Sequence, residues 1–260
     1  MIKLIATDMD GTLLDGKGNL PKDFIETFYE LKNKGIKFIA ASGRPYYTLY
    51  QNFDPVSDDI VYIADNGAMV VENGKITSYE KMEEKVIKEV LEACEKIDNI
   101  TVILCGLKRA YHKPCSKESL NEINKYYIKK NVIKDYSEID DIIFKISILD
   151  LSKAKDNSFP IFKEKFDQSL SVVISGEVWV DFTNKGIDKG NALKLFREKH
   201  DIAFEETMAF GDFFNDVGML KNAYYSFVME NASDEMKKYG RFIAKKNTEN
   251  GVIEEIKKYI

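Results

Sequence analysis

Histidine and cysteine are scarce in this chain, two and three in 260. His112 and His200 lie far apart, which argues against a histidine-rich zinc site and a histidine-based triad. Cys94, Cys105 and Cys115 are odd in number and share no metal-type spacing, so they read as free thiols in a reducing compartment. No apolar run is long enough to span a bilayer, and no charged-then-apolar leader with a cleavage site opens the chain. The expectation is a cytoplasmic protein with no membrane contact. Arginine is also rare, four among 38 basic residues against 43 acidic ones. The net charge of -5 is spread with both signs interspersed, and no basic stripe appears. Nucleic acid is therefore not expected as a partner. No internal repeat or low-complexity tract interrupts the sequence.

What the chain does have is a core and a punctuated pattern. Hydrophobic residues make up 44% and aromatics 12%, enough to fill an interior. Residues 2–7, 36–41 and 60–64 are apolar runs of the kind buried in parallel sheets, with a helical stripe of Phe24, Ile25, Phe28 and Leu31 between the first two. Gly35 stands where that helix should stop. Strand, helix, strand, helix, strand at this spacing implies βαβ units. Glu72-Asn73-Gly74 signals a hairpin. The texture then changes to charged helices over 82–96 and 116–130, strands over 100–105, 142–149, 170–174 and 178–182, and a short helix over 159–166. The polar run 106–113 reads as an exposed hairpin loop, while Trp179 and Asp181 share one face of their strand. From 188 onward the parallel pattern resumes. Residues 81–184 are thus expected to be an α+β domain inserted into a discontinuous α/β core of residues 1–80 and 185–260, a doubly wound, Rossmann-like parallel sheet.

Polar residues gather where that core would bind a ligand. Asp8 and Asp10 follow the first strand, Ser42 the second, and Asp212, Asn215 and Asp216 a late one, while Lys189 opens a helix. In open α/β sheets ligands sit outside the carboxyl ends of strands, so these residues can share one crevice. Asp8 and Asp212 can offer oxygen ligands to Mg²⁺. Asp8 can attack phosphorus, and Asp10 can protonate a leaving oxygen and then accept a proton from water. A carboxylate and a phosphate repel by about 4 kcal/mol per charge pair at about 4 Å and effective ε of about 20, so Mg²⁺ and Lys189 are needed to cancel that repulsion. Ser42, near a helix N-terminus, can hold phosphoryl oxygens. Asn66 precedes a glycine in a turn, and Arg44 can either meet phosphate or form a surface ion pair. A calcium EF-hand is excluded, because Thr12 and Leu13 stand where the loop needs an oxygen ligand of the Asp/Asn type and a glycine.

The order of these clusters resembles the haloacid dehalogenase superfamily. The matching motifs are Asp8-Met9-Asp10-Gly11-Thr12, Ser42, Lys189 and Gly211-Asp212-Phe213-Phe214-Asn215-Asp216. The segments Ala41-Ser42-Gly43-Arg44-Pro45, Asn66-Gly67-Ala68, Gly186-Ile187-Asp188-Lys189-Gly190 and Asn250-Gly251-Val252 are similar to the Cof-type subfamily, and the inserted domain resembles its type C2 (IIB) cap. The resemblance implies Asp8 as nucleophile and Asp10 as acid/base, with Ser42 and Lys189 completing the catalytic set. It gives Mg²⁺ to Asp8, the Asp10 backbone carbonyl, Asp212 and Asp216. It implies that Ser42, Gly43, Arg44, Asn66, Lys189 and Asn215 line the substrate. Asn215 and Asp216 would orient metal waters, the phosphoryl group and Lys189. Phe213 is a departure, since many relatives carry Gly or Asn there. The implied activity is a Mg²⁺-dependent phosphatase acting on a small phosphorylated metabolite, a sugar phosphate or phosphorylated cofactor, as a monomer or weak homodimer. A sugar phosphomutase shares the core and stays open as an alternative. A non-catalytic ligand sensor is the weaker one, since neither Asp8 nor Asp10 is lost.

Overall fold

The computed structural model describes all 260 residues, and its contacts divide them into two compact units, Met1–Ser78 with Asp188–Ile260, and Tyr79–Ile187. The first unit opens with β1 (Leu4–Asp8), α1 (Phe24–Asn33), β2 (Lys37–Ala41), α2 (Tyr46–Asn52), β3 (Val61–Ala64) and the hairpin of β4 (Met69–Glu72) and β5 (Lys75–Tyr79). The second holds α3 (Glu84–Cys94), β6 (Ile100–Gly106), β7 (Ala110–His112), α4 (Lys117–Tyr126), β8 (Lys130–Val132), β9 (Ile143–Asp150), α5 (Ser158–Phe166), β10 (Leu170–Gly176) and β11 (Trp179–Asn184). The chain then returns with α6 (Lys189–Lys199), β12 (Thr207–Gly211), α7 (Val217–Lys221), β13 (Tyr225–Met229), β14 (Phe242–Ala244) and α8 (Gly251–Tyr259). No helix is long and apolar enough to cross a membrane.

In the first unit the eight strands run in the order β14-β13-β12-β1-β2-β3-β4-β5. The pairs from β14 through β3 are parallel, and β4 turns antiparallel against β3. β1 is central, and all five of its residues are buried, as a strand covered on both faces requires. On one face Leu193 and Phe196 of α6 and Met219 and Leu220 of α7 pack on Leu4, Ala6, Ile39 and Ala41. On the other, Phe24 of α1 sits 5.3 Å from Phe38 and 5.4 Å from Phe53. Each such ring taken from water contributes roughly 1.5–3 kcal/mol. Helices on both faces make the sheet doubly wound. The stop at Gly35 is a Schellman turn: its φ is +71°, its N–H reaches Lys32 O at 3.0 Å, and Ile36 N–H reaches Leu31 O at 2.9 Å.

The second unit is a six-stranded sheet in the order β10-β11-β9-β6-β7-β8, antiparallel except for the β7–β8 pair. Val90 and Cys94 of α3 and Phe162 and Phe166 of α5 share its core with Leu104, Ile146 and Phe182. Ser116 caps α4 as expected, accepting from Ser119 N–H at 3.1 Å. Two expectations fail here. The run 106–113 is not simply a loop, because Ala110–His112 pairs with β6 and is buried. The helix expected to reach residue 130 ends at Tyr126, and Lys130 begins a strand instead. Asp181 is buried, with Ser147 Oγ donating to its Oδ1 at 2.6 Å and Lys145 Nζ 3.5 Å from its Oδ2. The three cysteines are free thiols.

Candidate active site

β1 has β12 on one side and β2 on the other, all parallel, so three carboxyl strand ends lie side by side. Asp8 is the last residue of β1 and pairs with Ala41, next to Ser42; Asp212 directly follows β12. α6 starts beside them because Asp188 caps it, accepting from Asn191 N–H at 2.8 Å. Lys189 is therefore carried inward on the first turn and is fully buried.

Its ammonium joins two carboxylates. Lys189 Nζ donates to Asp8 Oδ1 at 2.5 Å and to Asp216 Oδ1 at 2.7 Å. The second Asp216 oxygen accepts from Asp212 N–H at 3.1 Å and Phe213 N–H at 3.2 Å. One carboxylate thus fixes both the lysine and the backbone of the following loop. Thr12 Oγ1 donates to Asp212 Oδ1 at 3.1 Å. Gly11 lies beneath that contact with φ +82°, and a Cβ on it would stand 2.3 Å from Asp212 Oδ2, so no larger residue fits. Oxygens of Asp8, Asp212 and Asp216 lie within 4.8 Å of one another.

The electrostatics are unbalanced. Burial, and then the Asp216 charge, push the Asp8 carboxyl up to about 8 against the pull of Lys189. Burial and Asp216 likewise lift Asp212 to about 6. For Lys189 burial pushes downward, but Asp216 and Asp8 outweigh it and the ammonium is held above its ordinary value. Three acids facing one ammonium leave negative charge in excess. An all-oxygen donor set with surplus charge fits a hard divalent cation.

The other expected residues form two satellite pairs. Arg44 grips Asp10 with both ends of its fork, Nε to Oδ2 at 2.7 Å and a terminal nitrogen to Oδ1 at 2.5 Å. The Asp10 side chain is half exposed and lies outside the three-carboxylate group, so only its backbone is left as an expected metal contact. Asn215 Nδ2 donates to Asn66 Oδ1 at 3.1 Å, and Asn66 takes a left-handed φ of 56°. Ser42 is buried and its Oγ accepts from Arg44 N–H at 3.1 Å. Gly43 lets this turn lie close to Asn66, whose Nδ2 would be 3.1 Å from a Cβ there. Asn231 escaped the sequence reading: its Nδ2 donates to Gly11 O at 2.8 Å. The usable signal was its place two residues past the end of β13, another carboxyl strand end.

An open parallel sheet with a carboxylate set at its strand ends defines an α/β protein whose ligand site is acidic. The haloacid dehalogenase-like hydrolase model matches residues 5–256, and the chain belongs to that family of enzymes. It is 29% identical over 265 residues to the 5-amino-6-(5-phospho-D-ribitylamino)uracil phosphatase YbjI of Escherichia coli K12, covering all of this chain and 96% of that protein. It is 24% identical over 265 residues to the Bacillus subtilis phosphatase YcsE of the same substrate name, again covering all of this chain and 96% of the relative. The crystal structure of SMU.1108c from Streptococcus mutans UA159 superposes with a TM-score of 0.89 at 28% identity, covering all of this chain and 99% of that one.

Proposed function

We propose that this hydrolase is a Mg²⁺-dependent phosphatase of small phosphomonoesters that works through an aspartyl-phosphate on Asp8. The observation that carries the reading is the buried Asp8 carboxylate, bonded to Lys189 through one oxygen and bordered by Asp212 and Asp216. Asp8 attacks phosphorus, and the bond to the leaving oxygen breaks as that oxygen takes a proton from Asp10. Water then gives its proton to Asp10 and attacks phosphorus, which frees Asp8 and releases inorganic phosphate. Arg44 engages both oxygens of Asp10 in this structure, so Asp10 has to leave that fork to carry the proton in either transfer. Lys189 and Ser42 hold phosphoryl oxygens, and Asn66 with Asn215 forms a polar wall. Asp8 and Asp212, with Asp216 beside them and the Asp10 carbonyl, would hold Mg²⁺, which supplies the positive charge that offsets carboxylate–phosphate repulsion.

The names of the E. coli and B. subtilis relatives support an ester whose phosphate ends a short polyol or sugar chain. In this reading the inserted residues 81–184, which hold none of the acidic set, select the leaving group. The test is release of inorganic phosphate from p-nitrophenyl phosphate. Wild-type activity should require Mg²⁺, and Asp8→Asn should lower it by at least about a thousandfold. Activity in Asp8→Asn equal to wild type, or no activity at any Mg²⁺ concentration, sinks the reading.

A further inference from the structure

The loop that follows β1 is pegged at three strand ends in turn. The sheet order places β12, β13 and β14 successively outward from β1 on one side. Thr12 Oγ1 donates to Asp212, the residue after β12. Gly11 O accepts at 2.8 Å from Nδ2 of Asn231, two residues past β13. Leu14 O accepts at 2.8 Å from Nδ2 of Asn247, three residues past β14. The two asparagines are joined as well, since Asn247 N–H donates to Asn231 Oδ1 at 3.1 Å. Asn231 is an exposed residue, yet both ends of its amide are engaged.

The position held by Asn231 is the one that most needs holding. Gly11 has φ +82°, and glycine adopts both signs of φ about equally, so a peptide plane beside it turns at little cost. The Asp10 carbonyl lies between two others along the loop. Met9 O is secured within the loop, accepting from Thr12 N–H at 3.3 Å and Leu14 N–H at 2.8 Å. Gly11 O is secured from outside it, by Asn231. We propose that Asn231 is a positioning residue, which fixes the Gly11 carbonyl and thereby aims the Asp10 carbonyl at the divalent cation. This rests on the phosphatase reading, which gives the Asp10 carbonyl to Mg²⁺, and adds to it the residue that keeps that carbonyl in place. In this role Asn231 touches neither metal nor substrate. Without its amide the incoming Mg²⁺ has to order the loop itself, so affinity for the metal falls while the chemistry of the loaded enzyme is kept.

The experiment titrates Mg²⁺ into the metal-free protein by calorimetry and follows p-nitrophenyl phosphate hydrolysis over a range of Mg²⁺ concentrations. Asn231→Leu keeps the side-chain shape and removes both bonds, and Asn231→Ala removes the side chain. Each should weaken Mg²⁺ binding about tenfold, the worth of one to two hydrogen bonds. Saturating Mg²⁺ should restore kcat to within about twofold of wild type, with KM for the ester unchanged. Asn247→Ala should weaken Mg²⁺ less, about threefold, because its backbone N–H still holds Asn231. Asn131→Ala, which breaks a surface bond from Arg109 at 2.9 Å, should bind Mg²⁺ as wild type does. A merely structural brace would lower thermal stability alike with and without Mg²⁺ and leave metal affinity alone. Mg²⁺ affinity within about twofold of wild type in both Asn231 variants overturns the inference. So does a loss of kcat that excess Mg²⁺ does not restore. Wild-type protein that takes up no Mg²⁺ and releases no phosphate overturns the phosphatase reading as well.

Discussion

Replacing Lys189 by methionine keeps length and shape and removes only the charge. The ammonium is fully buried and lies 2.5 Å from Asp8 and 2.7 Å from Asp216, so its loss strands two carboxylates in the interior. Removing one partner of a buried ion pair costs roughly 3–5 kcal/mol. At about 2–4 °C per kcal/mol for a chain of this size, Lys189→Met should lower Tm by roughly 6–20 °C. The loss must also depend on pH. Asp8 is already lifted to about 8 by burial and Asp216, and without Lys189 it rises further. A carboxyl whose folded value lies above its unfolded one stabilises the fold fully at low pH and loses that contribution as pH climbs through the folded value. The deficit of Lys189→Met should therefore be smaller near about pH 6, where the pocket can take a proton, and larger near about pH 9. Mg²⁺ should recover part of it, since any ligand of the folded state alone stabilises by mass action. The assay is thermal unfolding at both pH values with and without Mg²⁺. A Tm drop under about 2 °C, or one that is the same at both pH values, would refute the account.

Two other perturbations probe distant parts of the same unit. Glu72 is buried and receives Lys37 at 3.2 Å, Lys199 at 3.0 Å and His200 Nε2 at 3.0 Å. Burial pushes its carboxyl up, but Lys199, Lys37 and His200 outweigh that and hold it below the usual range. Its contribution is thus present above the ordinary carboxylate value and fades as pH falls through the depressed one. Glu72→Gln should lose about 1–2 kcal/mol in urea unfolding near about pH 7 and nearly nothing at strongly acid pH; equal stability at neutral pH counts against the cluster. Gly67 has φ +101°, and a Cβ there would sit 2.4 Å from the Asp188 carbonyl that opens α6. Gly67→Ala should lose roughly 2 kcal/mol or more and much of the activity, whereas Gly74→Ala, at φ +69° with open space around it, should lose about 1 kcal/mol and leave turnover alone. Similar losses at both glycines would mean that the Asp188 contact is relaxed away.

Asp8, Lys189, Asp212 and Asp216 were legible because each sits at a strand end or helix start, and strand ends of a parallel sheet converge. Strand identity followed from continuous apolar runs, so β1, β2 and β3 fell within a residue or two of their expected limits. The pairing of Arg44 with Asp10 was not legible, because it depends on the direction taken by two long or exposed side chains after their turns. The link between Asn66 and Asn215 joins residues 149 apart and needs the fold first. β7 and β8 hide for another reason: each has three residues, too few to show alternation. They pair in parallel across α4, a relation that no local pattern announces.

The central position of β1 has a consequence for how the enzyme is made. One edge of this strand is satisfied by β2, which is synthesised soon after it. The other waits for β12, and the contact of Thr12 with Asp212 spans 200 residues. At about 5–20 residues per second, the ribosome leaves that apolar edge open for roughly 10–40 s. The six-stranded sheet of the second unit can close on itself meanwhile, because every strand it needs lies within Tyr79–Ile187. An unpaired hydrophobic edge is the place where chains join one another instead of folding. Newly made protein should accordingly be most prone to aggregation just before residues 207–244 emerge, and hydrolysis should be the last property a growing chain acquires.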